Sequence, residues 1–251
     1  MHIGIDLGSR FIKTAVETGG KVAQHIEDTV SFYKTRMIRT DAGTSVDLSY
    51  IGADLANAEI LATGYGRNLL QFDNLNIISE IKAHFYGVKS LCKENNFTLV
   101  DIGGQDCKVI DVKDGYINDF TMNDKCAAST GRFIEQAAAI LNIPVAEFET
   151  LTDNPVPLSD TCAVFCESEI IGQLARGAKD LSLAAGVNLS VAKRLAPAIK
   201  KYKPERLIMA GGAASPALIH FISELTGVMG KVLENQQLNG ALGCIAYMKR
   251  I

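Results

Sequence analysis

Short apolar runs alternate along the chain with longer segments whose apolar residues recur at helical spacing. The run RLIMA at 206–210 is typical of a buried strand, whereas Phe133, Ile134, Ala137 and Leu141 recur on one helical face. Strands that alternate with helices in this way are typical of an α/β protein. With 251 residues, 47% of them hydrophobic, the chain has room for a substantial core in two modest domains or one large one.

One strand-and-turn pattern occurs twice in the same register. The segment IDLGSRFIKTAVETGGKV, which starts at Ile5, aligns with VDIGGQDCKVIDVKDGYI, which starts at Val100. Three positions match at a constant spacing: Asp6 with Asp101, Gly8 with Gly103, and Lys13 with Lys108. Each copy predicts a strand, a glycine turn, a second strand, a tight turn and a third strand. Two copies in register predict two related domains that face each other.

The chemistry of these turns favours phosphate binding. An apolar strand ends in Asp, and the small residues that follow let backbone N–H groups approach an anion closely. The Asp would repel phosphate but can hold Mg²⁺ or its water ligands. One such turn alone is usually an ordinary strand end, whereas two in register favour a clamp on a polyphosphate. The candidate residues are Asp6, Gly8, Ser9, Lys13, Asp101, Gly103, Gly104 and Gln105, the last near the γ-phosphate or bracing the loop.

A third glycine element is RLIMAGGAAS at 206–215, a strand followed by two glycines and the small-residue start of a helix. It lacks GxGxxG, so it is a poor match to a dinucleotide-binding site, and it also lacks the P-loop pattern GxxxxGK(S/T). Taken alone, it predicts only a tight strand-to-helix turn.

Composition and charge argue against nucleic-acid and membrane partners. The formal net charge is −3, Trp is absent and aromatic residues are few, so neither a basic surface nor a base-stacking platform is expected. The N-terminal MHIGIDLGSR lacks the features of a signal peptide, and no stretch reaches the roughly 18 apolar residues of a membrane span. We therefore expect a cytoplasmic protein.

Six cysteines are present, at positions 92, 107, 126, 162, 166 and 244. In a reducing compartment they are expected to be thiols, metal ligands or catalytic groups, and the lack of a CxxC pair argues against a zinc ribbon. Most cysteines pack as small buried residues. Cys126 differs, because it follows Asn-Asp-Lys and precedes Ser-Thr-Gly at the start of a helical pattern. This electropositive, partly open position favours a thiolate.

The three glycine elements together resemble the actin, Hsp70 and sugar-kinase ATPase superfamily. In this resemblance IDLGSRFIK and VDIGGQDCK correspond to the two phosphate motifs and IMAGGAAS to the adenosine motif. Five segments are more specifically similar to the activator components of 2-hydroxyacyl-CoA dehydratases (archerases), in a family that includes the benzoyl-CoA reductase ATPase subunits. They are TGYGR (63–67), SEIKAH (79–84), GGQD (103–106), NDKCAASTGRF (123–133) and CAVFCESEII (162–171).

The resemblance implies an α/β fold of two duplicated ribonuclease H-like domains around a nucleotide cleft. Domain I would cover 1–92, with a C-terminal helix at about 233–251 returning to it, and domain II would cover 93–232. ATP or ADP and Mg²⁺ would be bound, with Asp6, Asp101 and Gln105 catalytic. Gly211, Gly212 and Ala213 would approach the adenosine.

The resemblance also implies a homodimer that shares one 4Fe–4S cluster, with two cysteine ligands from each subunit. It would take electrons from ferredoxin or flavodoxin and pass them singly, at low potential, to a partner iron–sulfur dehydratase or reductase. Cys126 matches the first family ligand and Cys162 the second, while Cys166 stands where the family has alanine. If 160–171 is helical, Cys162 and Cys166 lie one turn apart, so spacing leaves Cys166 open as a rival ligand, although the motif match favours Cys162. Cys92, Cys107 and Cys244 are expected to be packing residues.

Two other functions fit an ATPase of this fold. A small-molecule kinase, acting on a sugar or an acid, needs a base near the acceptor hydroxyl, and Asp101 is a candidate. Such a kinase has no use for Cys126 and Cys162 on an exposed face. A non-redox ATP-binding regulator is the third hypothesis, although the chain has no added substrate domain of the kind that a chaperone needs.

A basic segment, KRLAPAIKKYKPERL at 193–207, predicts a solvated helix face that ends before Pro204. The alternative is a contact with an acidic partner or with nucleotide.

Overall fold

The computed structural model describes residues 1–40, 43–52, 55–70, 74–159 and 162–249. The first part of the chain forms β1 (His2–Leu7), β2 (Phe11–Thr18), β3 (Lys21–Asp28), α1 (Thr29–Arg36), β4 (Met37–Thr40), β5 (Gly43–Val46), β6 (Glu59–Thr63), β7 (Leu75–Ile77) and α2 (Glu80–Leu91). The remainder forms β8 (Phe97–Ile102), β9 (Cys107–Lys113), β10 (Tyr116–Asn123), α3 (Gly131–Leu141), α4 (Val145–Phe148), α5 (Ala163–Ala175), α6 (Asp180–Lys201), β11 (Leu207–Ala210), α7 (Pro216–Thr226), β12 (Gly230–Val232) and α8 (Asn239–Lys249).

The chain divides into two compact units. Unit 1 combines Met1–Lys93 with Gln237–Ile251, and unit 2 is Glu94–Gln236. Helix α8 therefore lies in unit 1. The domain bounds that the sequence predicts, 1–92 with about 233–251 and 93–232, stay a prediction.

Each unit is built on a five-stranded sheet, and the two sheets have the same strand order. Unit 1 has the order β3-β2-β1-β6-β7 and unit 2 the order β10-β9-β8-β11-β12. In both sheets the first three strands are antiparallel and the central strand pairs in parallel with its other neighbour. The predicted fold class, α/β with a duplicated domain, is confirmed.

The strand register reproduces the sequence repeat. Asp6 of β1 lies opposite Lys13 of β2, and Asp101 of β8 lies opposite Lys108 of β9. The aligned residues therefore occupy equivalent places in the two sheets.

The core of unit 1 packs against its C-terminal helix. Gly4 of β1 is in such close contact with α8 that a Cβ there would lie 2.0 Å from the Ala241 carbonyl oxygen. Ala83 of α2 and Cys244 of α8 are both fully buried in a shared apolar cluster. The sheet of unit 1 is thus covered on one face by α2 and α8.

The core of unit 2 is centred on α6, whose apolar face packs with α3, α5 and α7 and with the inner faces of β8, β9 and β11. Within α6, Gly186 touches a neighbouring loop, since a Cβ there would lie 2.1 Å from the Val156 carbonyl oxygen. Space for a methyl group is lacking at this point.

Two glycines in helices of unit 2 give a matched test of this packing. We expect Gly186→Ala to lower the free energy of unfolding by about 2 kcal/mol, because the added methyl group overpacks the core. Gly172→Ala in α5 meets no atom within 4 Å, so it is expected to gain about 1 kcal/mol of helix propensity instead. Chemical denaturation of both variants measures the difference, and equal stabilities would contradict the packing described.

Among the described residues, no helix has the length and apolar character needed to cross a membrane.

Candidate functional site

The first glycine turn places Asp6 beside Lys13. Asp6 is 4% exposed near the end of β1, and Lys13 Nζ lies 3.0 Å from its Oδ2 atom. A buried carboxylate requires such a partner, because removing a charge from water is costly. Both members of this pair are residues that the sequence repeat singled out.

The backbone closes tightly around Asp6. Gly64, directly after β6, has a φ angle of +92°, and a Cβ there would lie 2.7 Å from Asp6 Oδ1. At Gly8 a Cβ would lie 2.8 Å from both Lys13 Nζ and the Phe11 carbonyl oxygen. The turn around the carboxylate is therefore too tight for side chains at Gly8 and Gly64.

A buried hydroxyl lies next to Asp6. Thr63 lies opposite Asp6 in the parallel pair of β1 and β6 and is fully buried. Its Oγ1 atom has no hydrogen-bond partner within the residues that the structure describes. Buried polar atoms are normally satisfied, so this hydroxyl is an exception beside the carboxylate.

The second glycine turn repeats this arrangement in unit 2. Asp101 is 1% exposed, and Lys108 Nζ lies 3.5 Å from Asp101 Oδ2 and 2.7 Å from Asp106 Oδ2. The turn is close around Gly103, where a Cβ would lie 2.6 Å from Asp106 Oδ1 and 3.1 Å from the Asp106 carbonyl oxygen. Lys108 thus bridges the strand-end carboxylate to the turn.

The AGGAA segment after β11 lies against this second turn. Gly211 has a φ angle of +95°, and a Cβ there would lie 2.7 Å from Asp101 Oδ1. Ala213 N–H donates to the Ile102 carbonyl oxygen at 3.0 Å. Gly211 therefore has the same relation to Asp101 that Gly64 has to Asp6. A helix follows, and the Ser215 hydroxyl caps it by accepting a hydrogen bond from Leu218 N–H at 3.3 Å.

The other residues predicted from the sequence also lie at these turns, and they are more exposed to solvent than Asp6 and Asp101. Ser9 is half-buried, and Gln105 and Gly212 are exposed. Gly104 is half-buried and accepts a hydrogen bond through its carbonyl oxygen from Arg132 N–H at 3.0 Å. The predicted roles of these residues in catalysis and adenosine binding stay predictions.

The second glycine turn is hydrogen-bonded to the start of α3. Gly131 N–H donates to the Gly103 carbonyl oxygen at 2.9 Å, beside the Arg132 to Gly104 bond. The first N–H groups of a helix have no partner within it, and here the turn supplies two acceptors. The segment that carries Cys126 enters α3 at this point, so the turn and the cysteine are mechanically linked.

Cys126 is exposed and is held by Asn123. The Asn123 Oδ1 atom accepts from Cys126 N–H at 3.2 Å, and Nδ2 donates to the Cys126 carbonyl oxygen at 3.0 Å and to Ser129 Oγ at 2.9 Å. The sequence predicted a helix that starts at the Ser-Thr-Gly segment after Cys126, and the structure agrees. A short 3₁₀ helix (Ala127–Ser129) intervenes, and α3 begins at Gly131.

Cys162 and Cys166 have opposite environments. Cys162 is half-exposed at the N-cap of α5, whereas Cys166, one turn later, is fully buried in the core of unit 2. The predicted helix over 160–171 begins at Ala163, and Asp160 and Thr161 lie outside the described residues. The spacing left Cys166 open as a rival ligand, but its burial makes Cys162 the accessible thiol.

The acidity of the two thiols follows their environments. The backbone N–H groups of Phe165 and then Val164 hold the pKa of Cys162 below its ordinary value, although neither completes a capping hydrogen bond. Burial raises the pKa of Cys166 to about 11. A thiolate, the form that binds metal, is thus favoured at Cys162 and disfavoured at Cys166.

Alkylation of the iron-free, reduced protein tests this difference. Because the thiolate is the reacting form, the iodoacetamide rate at Cys162 is expected to reach half its maximum below pH 9.0, the ordinary value. Cys166 is expected to stay unmodified until the pH approaches about 11. Peptide mass spectrometry separates the sites, and modification of Cys166 at neutral pH would contradict its burial.

The remaining cysteines are packing residues, as predicted. Cys92, Cys107 and Cys244 are 6%, 3% and 0% exposed. Burial raises the pKa of Cys107 and of Cys244. In the described part of the chain, no three or more His, Cys, Asp or Glu side chains are grouped to hold a metal ion.

Several contributors to the site were not predicted as site residues. Lys108 was aligned with Lys13 but not assigned a role, and Gly64 and Thr63 were noted only as part of TGYGR. Arg194 was noted only as part of the basic segment 193–207, but it is half-buried and its Nε and Nη2 atoms are buried. Its place in the sequence, beside the exposed Lys193, gave no sign of this.

The doubled sheet with a glycine turn after each central strand is the fold of actin-like and sugar-kinase-like ATPases. A glucokinase of the ROK family from Streptomyces griseus shares this fold with a TM-score of 0.56 and 13% identity, covering 100% of this chain and 99% of that one. At that identity the likeness concerns the fold alone.

The chain belongs to the BadF/BadG/BcrA/BcrD ATPase family, whose sequence model matches residues 3–247. It is 36% identical to the (R)-2-hydroxyglutaryl-CoA dehydratase activating ATPase of Acidaminococcus fermentans, over 98% of this chain and 95% of that protein. The activator of the 2-hydroxyisocaproyl-CoA dehydratase from Clostridium difficile, solved with bound ADPNP, has a TM-score of 0.84 and 30% identity, covering 100% of this chain and 97% of that one. The resemblance read from the motifs is confirmed.

Proposed function

We propose that this ATPase is a reductive activator, which uses ATP to deliver low-potential single electrons from a 4Fe–4S cluster to a partner iron–sulfur enzyme. The partner would be a 2-hydroxyacyl-CoA dehydratase or a related reductase. The observation that carries the proposal is the pair of accessible thiols, Cys126 and Cys162, on the unit whose phosphate turn is hydrogen-bonded to the Cys126 segment.

We infer that both glycine turns bind ATP or ADP with Mg²⁺. The buried carboxylates of Asp6 and Asp101 fit the metal or its water ligands, since each is held by a lysine and faced by a glycine without room for a side chain. Gln105, exposed on the second turn, would meet the γ-phosphate or the attacking water.

The cysteines of one chain fit half of a cluster. A four-iron cluster takes about four thiolates, and the accessible cysteines of the described residues are Cys126 and Cys162. A symmetric pair of chains presents the same surface twice and so supplies the full set. When bound, the cluster stores and releases one electron; the chain holds it, sets its charge environment and exposes it to the partner.

The surface beside Cys162 supports a homodimer. Val164 and Phe165, in the first turn of α5, are 67% and 69% exposed. Large apolar side chains next to a half-exposed cysteine favour an interface that covers both. Helix α5 is joined to α3 by a hydrogen bond of 2.5 Å from Gln136 Nε2 to Glu167 Oε2.

Electron input and output would involve other proteins. We propose ferredoxin or flavodoxin as the donor and an iron–sulfur dehydratase or reductase as the acceptor. The relatives are named as activators, and 27% identity to a benzoyl-CoA reductase subunit of Thauera aromatica extends this to reductases. We expect the cluster to be sensitive to oxygen, because the two cysteines proposed to hold it lie at the surface of the chain.

The test uses protein purified without oxygen, reduced with dithionite and freed of excess reductant. With MgATP and an iron–sulfur dehydratase component, we expect about one electron per pair of chains to be transferred, and none when ADPNP replaces ATP. The chain alone is expected not to dehydrate an acyl-CoA. An iron-free protein that phosphorylates a sugar would instead support the kinase alternative.

A further inference from the structure

A cavity of about 260 Å³ lies beneath Cys126 in unit 2. Its walls come from β9, β10, the segment 123–129 and one face of α6. The polar side chains that line it include Thr121, Asn123, Ser129 and Arg194. Cys126, a candidate cluster ligand, and Arg194, a cation, therefore line the same pocket.

Two nitrogens of the Arg194 guanidinium lack hydrogen-bond partners. The residue is half-buried, and its Nε and Nη2 atoms are buried with no acceptor anywhere in the described ranges of the chain. The guanidinium lies against the Phe133 ring, whose centroid is 5.9 Å from Cζ. Burying N–H donors without acceptors is costly. A positive charge with unsatisfied donors at the wall of this pocket favours an anion nearby.

Helix α6, which carries Arg194, also packs against the second cysteine segment. Cys166 of α5 and Val191 of α6 belong to one buried apolar cluster. Cys162 is the N-cap of the same α5 helix, one turn before Cys166. The helix that carries Arg194 therefore lines the cavity at Cys126 and also packs against the helix that follows Cys162.

We propose that Arg194 is a positioning residue of the cysteine centre, whose guanidinium compensates the anionic sulfur held by Cys126 and Cys162 and eases its one-electron reduction. This inference rests on the proposed function, since the anion is the cluster with its thiolates. One electron enters from ferredoxin or, in the experiment, dithionite, and no covalent bond forms or breaks. The added negative charge is stabilised by the nearby cation, so the reduction potential is higher with Arg194 than without it.

The test compares Arg194→Gln with Lys193→Gln. Each removes one positive charge from neighbouring positions of α6, but Lys193 is exposed. Iron content and an anaerobic redox titration followed by electron paramagnetic resonance are measured. We expect Arg194→Gln to lower the equilibrium constant for reduction at least tenfold, about 59 mV for one electron. Lys193→Gln should stay at the wild-type potential, and Arg194→Lys should fall between wild type and Arg194→Gln.

The outcomes separate this inference from the proposed function. A wild-type protein without iron overturns both. A wild-type protein with a cluster, together with an Arg194→Gln variant of unchanged iron content and potential, overturns the role of Arg194 alone. An equal shift in Lys193→Gln also overturns it, because the effect would then belong to net charge. If circular dichroism shows that Arg194→Gln is unfolded, Arg194→Met, which retains the bulk without the charge, is judged by the same tenfold criterion.

Discussion

Cys126→Ala is expected to lose the iron, from about four atoms per pair of chains to less than one. The loss should be complete, because one substitution in a symmetric pair removes two of the four thiolates. Cys162→Ala should behave in the same way. Both cysteines are accessible, and the first-turn N–H groups of α5 favour the thiolate at Cys162. Iron and sulfide analysis with anaerobic sizing measures the result, and the cluster-free variants should also have a weaker dimer contact.

Cys166→Ala is the matched control. Its sulfur lies in the apolar core of unit 2, with a pKa raised to about 11 by burial. The variant should therefore retain both iron and dimer, with a modest cost in stability from the small cavity. If Cys166→Ala loses the cluster while Cys162→Ala retains it, the ligand assignment is wrong.

Asp101→Asn is expected to reduce ATP hydrolysis by about 100-fold or more, the loss typical of removing one preorganised electrostatic group. The amide is isosteric but cannot neutralise Mg²⁺ as a carboxylate does. The fold should survive, because Lys108 keeps Asp106 as a partner at 2.7 Å. Iron content should not change, since the cysteines are untouched. Steady-state phosphate release measures the effect.

Asp119→Asn provides the comparison for that variant. Asp119 is a carboxylate on β10 of the same sheet, and it is exposed and paired with Lys201 at 2.9 Å. The Asp119→Asn variant should hydrolyse ATP at the wild-type rate. If the Asp101→Asn variant hydrolyses ATP at the wild-type rate, the assignment of Asp101 to the nucleotide site is wrong.

The sequence repeat predicted the sheets well, because register is local information. Pairing of Asp6 with Lys13 and of Asp101 with Lys108 follows from strands joined by short turns, whose length sets the alignment. The equivalent positions of Gly64 and Gly211 could not be predicted from local register. Each glycine reaches its Asp across a parallel strand pair whose partners are distant in sequence, and their positive φ angles are invisible in the residue letters.

The cysteine site shows a similar limit. Spacing put Cys162 and Cys166 one helical turn apart, but only the packing of α5 decides which of them is buried. A basic run usually marks a solvated face, so the segment 193–207 gave no reason to single out Arg194. Its place opposite Phe133 and beneath Cys126 depends on how α6 packs against α3 and β9. The burial of Cys166 and the position of Arg194 both depend on tertiary packing, which the local sequence pattern does not show.

Native mass spectrometry of the protein purified without oxygen tests most directly whether two chains share one cluster. We predict a species of two chains that carries one set of four irons and four sulfides, with iron-free monomer as the product of cluster loss. A monomer that carries a complete cluster, or a dimer that contains no iron, would contradict the proposal that two chains share one cluster.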